Sequence, residues 1–450
     1  MKLFNDLTLK FEKPQWKRNT EFALMDTILE QHPELIALLA EDITRGSSTS
    51  QFGRQDTPSV EQIVRAAIFK EMKGLDYRQL EYAQMDSRIC ASFIKLDQRE
   101  PFSFQMFQKY ISKIQTESLE QVLFEINKLA VSEGLEDIQS IRQDSTVVKS
   151  NIHYPTNNAL VWDCIRESHR LLAQLHAECK EVSFRDYRKG AKRSYFKINV
   201  TKSKEVRANL FLKQLETFTK CINQVSNAVK KKVKGERGKV LMAALDELLP
   251  LMRQVFSMTW RKEILGEKVA NSEKIFSIYE AHTDIIVKGG REAEFGHKVN
   301  LVTGRSNLIL DCQVLKGNPH DSSLYQPTMD RVINGYGKVP RDSSTDGGYA
   351  SLANLDYGVD KGISNIVFNK VVGSMESRVS SQNMETRLKK WRSGIEAVIS
   401  NWKRGFAMRI CEWKGWLHFR AKVFWSVIAY NFRVMTRLIL EKIQKKTAFA

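Results

Sequence analysis

The sequence predicts an α/β protein with a helical N-terminal domain and a mixed-sheet core that is interrupted by a long helical insertion. Three observations carry this expectation. Helical periodicity dominates to about residue 133, β-branched strand-like runs begin at 138–150 and resume after 273, and the stretch between them is helical again. At 450 residues the chain is too long for one ordinary core, so more than one folding unit is expected.

In the first part, Thr57 and Pro58 open a helix over 59–72, Ser59 and Gln62 stand at capping-box spacing, and Gly74 closes it. Asp76 and Gln79 repeat the device for a second helix, whose Leu80 faces a core shared with Ile63, Ala67 and Phe69. Pro101 and Ser103 start a third, through Phe107, Tyr110 and Ile114. Residues 1–135 thus read as one compact helical domain.

The runs 138–150, 274–280, 297–303, 308–315 and 364–369 have the β-branched texture of strands, with helices expected at 321–334 and 380–403. The core is therefore placed at 136–159 and 272–405, the insertion at 160–271, and a C-terminal helical segment at 406–450.

Charge gives the first functional direction. Lys plus Arg number 70 against 52 Asp plus Glu, a formal +18, which points to a polyanionic partner. The insertion holds the most basic stretch: Arg188, Lys189, Lys192 and Arg193 lie among Phe184, Tyr187, Tyr195 and Phe196. Cations that neutralise phosphates beside rings that stack on bases suit DNA contact, whereas a solvated helix face is the plainer alternative. The helical N-terminal domain is a second candidate for DNA binding. Six scattered cysteines make no zinc-ligand spacing and suit a reducing compartment. Neither a signal-peptide core nor eighteen uncharged apolar residues in a row is present, so a cytoplasmic location without membrane association is expected.

Three acids stand out: Asp144 in the first strand-like run, Asp346 before Gly-Gly, and Glu396 in the helix 380–403. Singly, each reads as a turn or surface residue. Together, two aspartates from strands and a glutamate from a helix supply hard oxygen ligands from separate elements. Two divalent ions roughly 4 Å apart around one phosphate need such a set. Arg392, Glu396 and Lys403 fall at i, i+4 and i+11, close to one helix face, so cations flank the glutamate.

The run from Asp144 through Val148, with Asn151-Ile-His-Tyr-Pro-Thr156, resembles the first-aspartate motif of the DDE transposases of bacterial insertion sequences. Phe295-Gly-His-Lys-Val, Gly317-Asn-Pro-His-Asp321 and Asp346-Gly-Gly-Tyr349 resemble the family's later segments, and Arg392, Glu396 and Lys403 keep its spacing around the glutamate. The resemblance spans most of residues 60–440. It departs at Lys389, where the family has tyrosine, and at Gly347, where a basic residue is commoner.

The resemblance implies an RNase H-like catalytic core, with the first Asp on the central strand, the second after an adjacent strand and the Glu on a crossing helix. It implies a DNA transposase in which Asp144, Asp346 and Glu396 hold two Mg²⁺ ions, with Mn²⁺ as substitute. Arg392 and Lys403 would bind DNA, and the partners would be duplex DNA, as terminal inverted repeats and target, and a second copy of the chain on DNA. No small-molecule substrate is implied. A nuclease of the same fold without strand transfer, and a non-catalytic DNA-binding regulator, are the alternatives. Asp321 is expected to cap helix 321–334, and a supporting role is left open for His297.

Overall fold

The computed structural model describes residues 19–46, 57–96, 99–287, 292–369 and 377–448. In chain order its main elements begin with helices α1 (Thr20–Gln31), α2 (Val60–Lys73), α3 (Tyr77–Asp86), α4 (Phe104–Ile111) and α5 (Thr116–Ser132), then strand β1 (Ser140–Ser150). Helices α6 (Asn157–Glu178), α7 (Arg188–Val200), α8 (Lys204–Ala228) and α9 (Glu236–Thr259) follow, then β2 (Asp284–Ile286), β3 (Glu294–Thr303) and β4 (Ile309–Val314). Last come α10 (Tyr325–Tyr336), β5 (Asp342–Asp346), α11 (Leu352–Asp360), β6 (Asn365–Asn369), α12 (Gln382–Arg392), α13 (Gly394–Gly405), β7 (Ile410–Cys411) and α14 (Trp416–Ala448). The chain packs as two units, one drawn from Met1–Lys149 and His297–Ala450, the other from Ser150–Gly296.

Unit one is an α/β body. Ser59 and Asp76 make the expected capping boxes with Gln62 and Gln79, each side chain accepting from the backbone of its partner while that partner's amide side chain returns a bond. Leu80, Ile63, Ala67 and Phe69 are buried. β1 lies parallel to β5 in register from Ser140↔Asp342 to Gln143↔Thr345, and β6 runs parallel beyond β5. On the other side of β1 lies β3, which takes β4 as an antiparallel neighbour. β1 is thus central, and Asp144 and Asp346 stand on adjacent strands. The first residues of β3, Glu294 to Gly296, belong to unit two, where they pair with β2.

α14 changes the expected division. Its side chains from Phe419 to Ile439 are buried almost without interruption, and it packs against α1, α2, α5 and β4. By length and composition it could cross a membrane, yet 78% of its most apolar window is buried within the protein. An element apolar on all sides needs cover all round. The N-terminal helices, the sheet and the C-terminal helix therefore share one core, where separate domains were expected.

Unit two is a helical bundle of α6, α8 and α9 with the shorter α7, cored by residues such as Leu172, Phe218, Leu245 and Met252. Its limits lie at 150 and 296, outside the 160–271 read from the sequence. The run 274–280 forms no strand. The Ser277 hydroxyl accepts from the backbone of Tyr279 and Glu280, a serine turn that competes with a ladder, while Ile275, Phe276 and Ile278 still bury their side chains. The helix expected over 380–403 is two helices that meet at Ser393.

Candidate functional site

Asp144, Asp346 and Glu396 come from β1, β5 and α13, and one guanidinium stands among them. Arg392 Nη2 lies 2.8 Å from an Asp144 oxygen and 3.7 Å from an Asp346 oxygen, and Nη1 lies 3.1 Å from Glu396. The arginine side chain is 4% exposed, whereas the acids open toward solvent in order: Asp144 18%, Asp346 42%, Glu396 64%. The pocket floor is therefore the arginine and the strand aspartate, and the approach is from the glutamate side. Three carboxylates against one guanidinium leave two negative charges, which a divalent cation would offset.

The helix break places this arginine. Arg142, two residues before Asp144 on β1, is buried, donates through Nη1 to the Trp391 carbonyl at 2.8 Å and through Nε to Thr303 at 2.9 Å, and bonds Asn307. Its guanidinium lies 4.8 Å from the Trp391 ring centre. Burial pushes its pKa down to about 10, against the raising influence of Tyr430 and Glu136. A Cβ at position 394 would come within 2.3 Å of Arg142 Nη1, so only glycine lets the two elements approach. The far end of α13 is tied to the same strand, because Lys403 donates to the Val147 carbonyl at 2.6 Å and to Thr146 at 3.3 Å. Lys403 is thus engaged with β1; a DNA contact would require its release.

A fourth acid stands beside the triad. Asp321 does not cap its helix through its side chain; it accepts from Ser145 Oγ and from Lys298 Nζ, both at 3.1 Å. Lys298 also donates to the Pro319 carbonyl at 2.6 Å, so the segments around Lys298 and Asp321, noted separately in the sequence, meet here. A Cβ at Gly348 would lie 3.2 Å from Asp321, which brings the turn after Asp346 against the same acid. Tyr349 is fully buried beneath them and donates to Asn300 at 2.9 Å. Burial, and then the negative charges of Asp321 and Asp144, hold its phenol well above the usual range. His297 is buried edge-on to Trp416 and Phe419, as a core residue. Arg142 escaped sequence reasoning because its partners lie more than 150 residues away in the chain, and Asp321 reads as a cap in the sequence because Ser145 is equally distant and Lys298 sits on β3.

Among the described residues no group of three His, Cys, Asp or Glu side chains surrounds one common metal position. Arg392 stands among the three carboxylates, within 4 Å of each. The donor set itself, carboxylate oxygens from three elements, is the kind that holds Mg²⁺ or Mn²⁺.

The four basic residues singled out in the insertion, Arg188, Lys189, Lys192 and Arg193, are on α7. Lys189, Lys192 and Arg193 are exposed, while Arg188 pairs with Asp186 at 2.7 Å. Of the interleaved rings, Phe184 and Tyr187 pack on His169 and Tyr195 stacks on Trp162, while Phe196, edge-on to Tyr195, is 55% exposed.

Neither a curated protein nor a solved structure matches the chain. The family model of the transposase DDE domain matches residues 280–432, a span that holds Asp346, Arg392 and Glu396, with Asp144 on the strand beside β5. The similarity to the transposase DDE domain covers about a third of the chain.

Proposed function

We propose that the protein is a DNA transposase that cuts at transposon ends and joins the freed ends to target DNA, with Asp144, Asp346 and Glu396 as the catalytic acids. The observation that supports this most is the convergence of those three carboxylates, from the central strand, its parallel neighbour and a helix tied to that strand, on one guanidinium. The strand order around β1 agrees with an RNase H-like core.

Two divalent ions held by the triad, Mg²⁺ or Mn²⁺, would activate the attacking hydroxyl and offset charge at the scissile phosphate. Arg392 keeps the carboxylates gathered, and its planar fork suits a phosphate as well as a carboxylate, so it is placed to grip the DNA strand. Arg142 holds the end of α12 and Lys403 the end of α13 on β1, which keeps Glu396 beside Asp144. The exposed cations of α7 supply nonspecific affinity. Because two ends are joined together, the active species is a dimer on DNA.

The test is an assay of the full chain on duplexes from the DNA flanking its coding region, with a labelled target. The expected result is Mg²⁺-dependent cleavage followed by joined products, both abolished by Asp144→Asn, Asp346→Asn or Glu396→Gln while end binding persists. Cleavage without joined product would replace the transposase with a nuclease. Cleavage within about tenfold of the parent would remove the substituted residue from the triad.

A further inference from the structure

A cavity of about 430 Å³ lies in unit one, where the end of α13 meets α14. Three arginines line it, Arg404, Arg433 and Arg437, together with Gly405, Phe406 and Tyr430, and none of its lining residues is acidic. Arg433 is built into position. Its Nε donates to Glu21 at 3.1 Å, its Nη2 donates to the Met72 carbonyl at 3.0 Å, and its guanidinium lies 4.7 Å from the Phe406 ring centre. The remaining Nη1 is turned toward Gly405, 3.6 Å from where a Cβ would stand. Gly405 thus leaves room in front of a fixed, forked donor, with exposed Arg404 and Arg437 at the rim.

A structural role for these arginines, to cap the carbonyl end of α13, accounts for little. Arg433 spends its Nε and Nη2 on Glu21 and Met72, and only Arg404 reaches back to an α13 carbonyl, that of Ser400 at 3.4 Å. The helix end contributes about half a negative charge, which three guanidiniums outweigh even with Glu21 counted.

We propose that this pocket is a second phosphate site, which takes a backbone phosphate of the DNA strand that passes the three acids. This rests on the DNA-cutting function proposed above. Glu396 and Arg404 share α13 and are eight residues apart, about 12 Å along its axis. Along the axis of a duplex lying parallel to α13, at a rise of roughly 3.4 Å per nucleotide, that length corresponds to between three and four nucleotides. One rigid helix then measures a fixed distance from the reacting phosphate to a phosphate anchor.

The experiment compares the full chain with Arg404→Ala/Arg437→Ala, which spares the structurally tied Arg433, and with Lys338→Ala/Lys361→Ala as an equal loss of surface charge. Affinity for a short labelled duplex is measured across a salt series, with melting temperature followed in parallel. The expected result is a slope of log affinity against log salt that flattens by up to about 0.9 per lost contact in the arginine variant and not in the lysine variant, at unchanged melting temperature. An arginine variant with the parent slope would overturn the pocket assignment while the DNA function stood. A parent protein whose duplex binding is indifferent to salt would instead overturn the reading beneath it. Inorganic pyrophosphate is the second probe: if it raises the melting temperature of the parent but not of the arginine variant, with duplex slopes equal, the pocket serves a free phosphate compound and the DNA assignment falls.

Discussion

Each unit contains an arginine beside an aspartate at nearly the same distance. Arg392 meets Asp144 at 2.8 Å in unit one, and Arg188 meets Asp186 at 2.7 Å in unit two. The first arginine is 4% exposed and the second 44%. In the exposed pair water already satisfies both charges, and such bridges contribute little. In the other pair the guanidinium is buried and Asp144 only 18% exposed, so water competes far less and the arginine fixes where three carboxylates stand. Equal geometry therefore has different consequences: the pair in unit one fixes position, and the pair in unit two stays screened by water. The lesson is that burial, rather than distance, separates a site-forming ion pair from a surface one.

The largest expected effect comes from the buried side. Arg392→Ala leaves three carboxylates facing one another with no cation, and should cost about 3 kcal/mol of metal-free stability in denaturant unfolding. Millimolar Mn²⁺ should restore part of that loss. If the variant is as stable as the parent without metal, the guanidinium does not organise the acids.

Next in size is Gly394→Ala. Alanine in a helix normally gains on glycine, yet here its Cβ would meet Arg142 at 2.3 Å, so a loss of about 1–3 kcal/mol is expected from overpacking. A stabilised variant would show that α13 can shift freely on β1.

Acid titration sharpens the same contrast. Burial pushes the Asp342 carboxyl up, but hydrogen bonds from Arg341, Asn365 and Ser140 outweigh it and hold the carboxyl below its ordinary value. A carboxyl depressed in the folded state adds stability above its unfolded pKa of about 3.9, and that stability is lost as pH falls through the folded value. Asp342→Asn should therefore flatten the acid limb of a stability–pH curve. Asp186 is also lowered, chiefly by the hydrogen bond from Arg188, but it is 47% exposed, and Asp186→Asn should change the curve far less. Equal flattening would contradict the burial argument.

The smallest effect on stability is expected on α7. Changing Arg188, Lys189, Lys192 and Arg193 to alanine should leave unfolding within about 0.5 kcal/mol of the parent while it flattens the salt dependence of DNA binding. An unchanged slope would mean that this face does not touch DNA.

Much of unit one was legible because its signals are local. The capping boxes at Ser59 and Asp76 close within four residues, and the strands holding Asp144 and following Arg305 announce themselves by β-branched runs. The three acids could be singled out by residue type and setting, and Arg392 by its spacing from Glu396. What could not be read depends on distant partners. Nothing near Gly394 says that Arg142 lies against it, so one helix was expected where the chain breaks. Asp321 looks like a cap until Lys298 and Ser145 claim its side chain. The run from 274 to 280 has strand composition, but Ser277 turns its backbone before a ladder can form.

The central claim is that Asp144, Asp346 and Glu396 make up one metal-binding site although Arg392 now stands between them. Mn²⁺ binding to the full chain on DNA, followed by calorimetry or electron paramagnetic resonance, tests it most directly. The account predicts that Asp144→Asn, Asp346→Asn and Glu396→Gln each weaken Mn²⁺ binding by about tenfold or more, since each removes one charged oxygen ligand. Parent-like Mn²⁺ affinity in all three variants would contradict it.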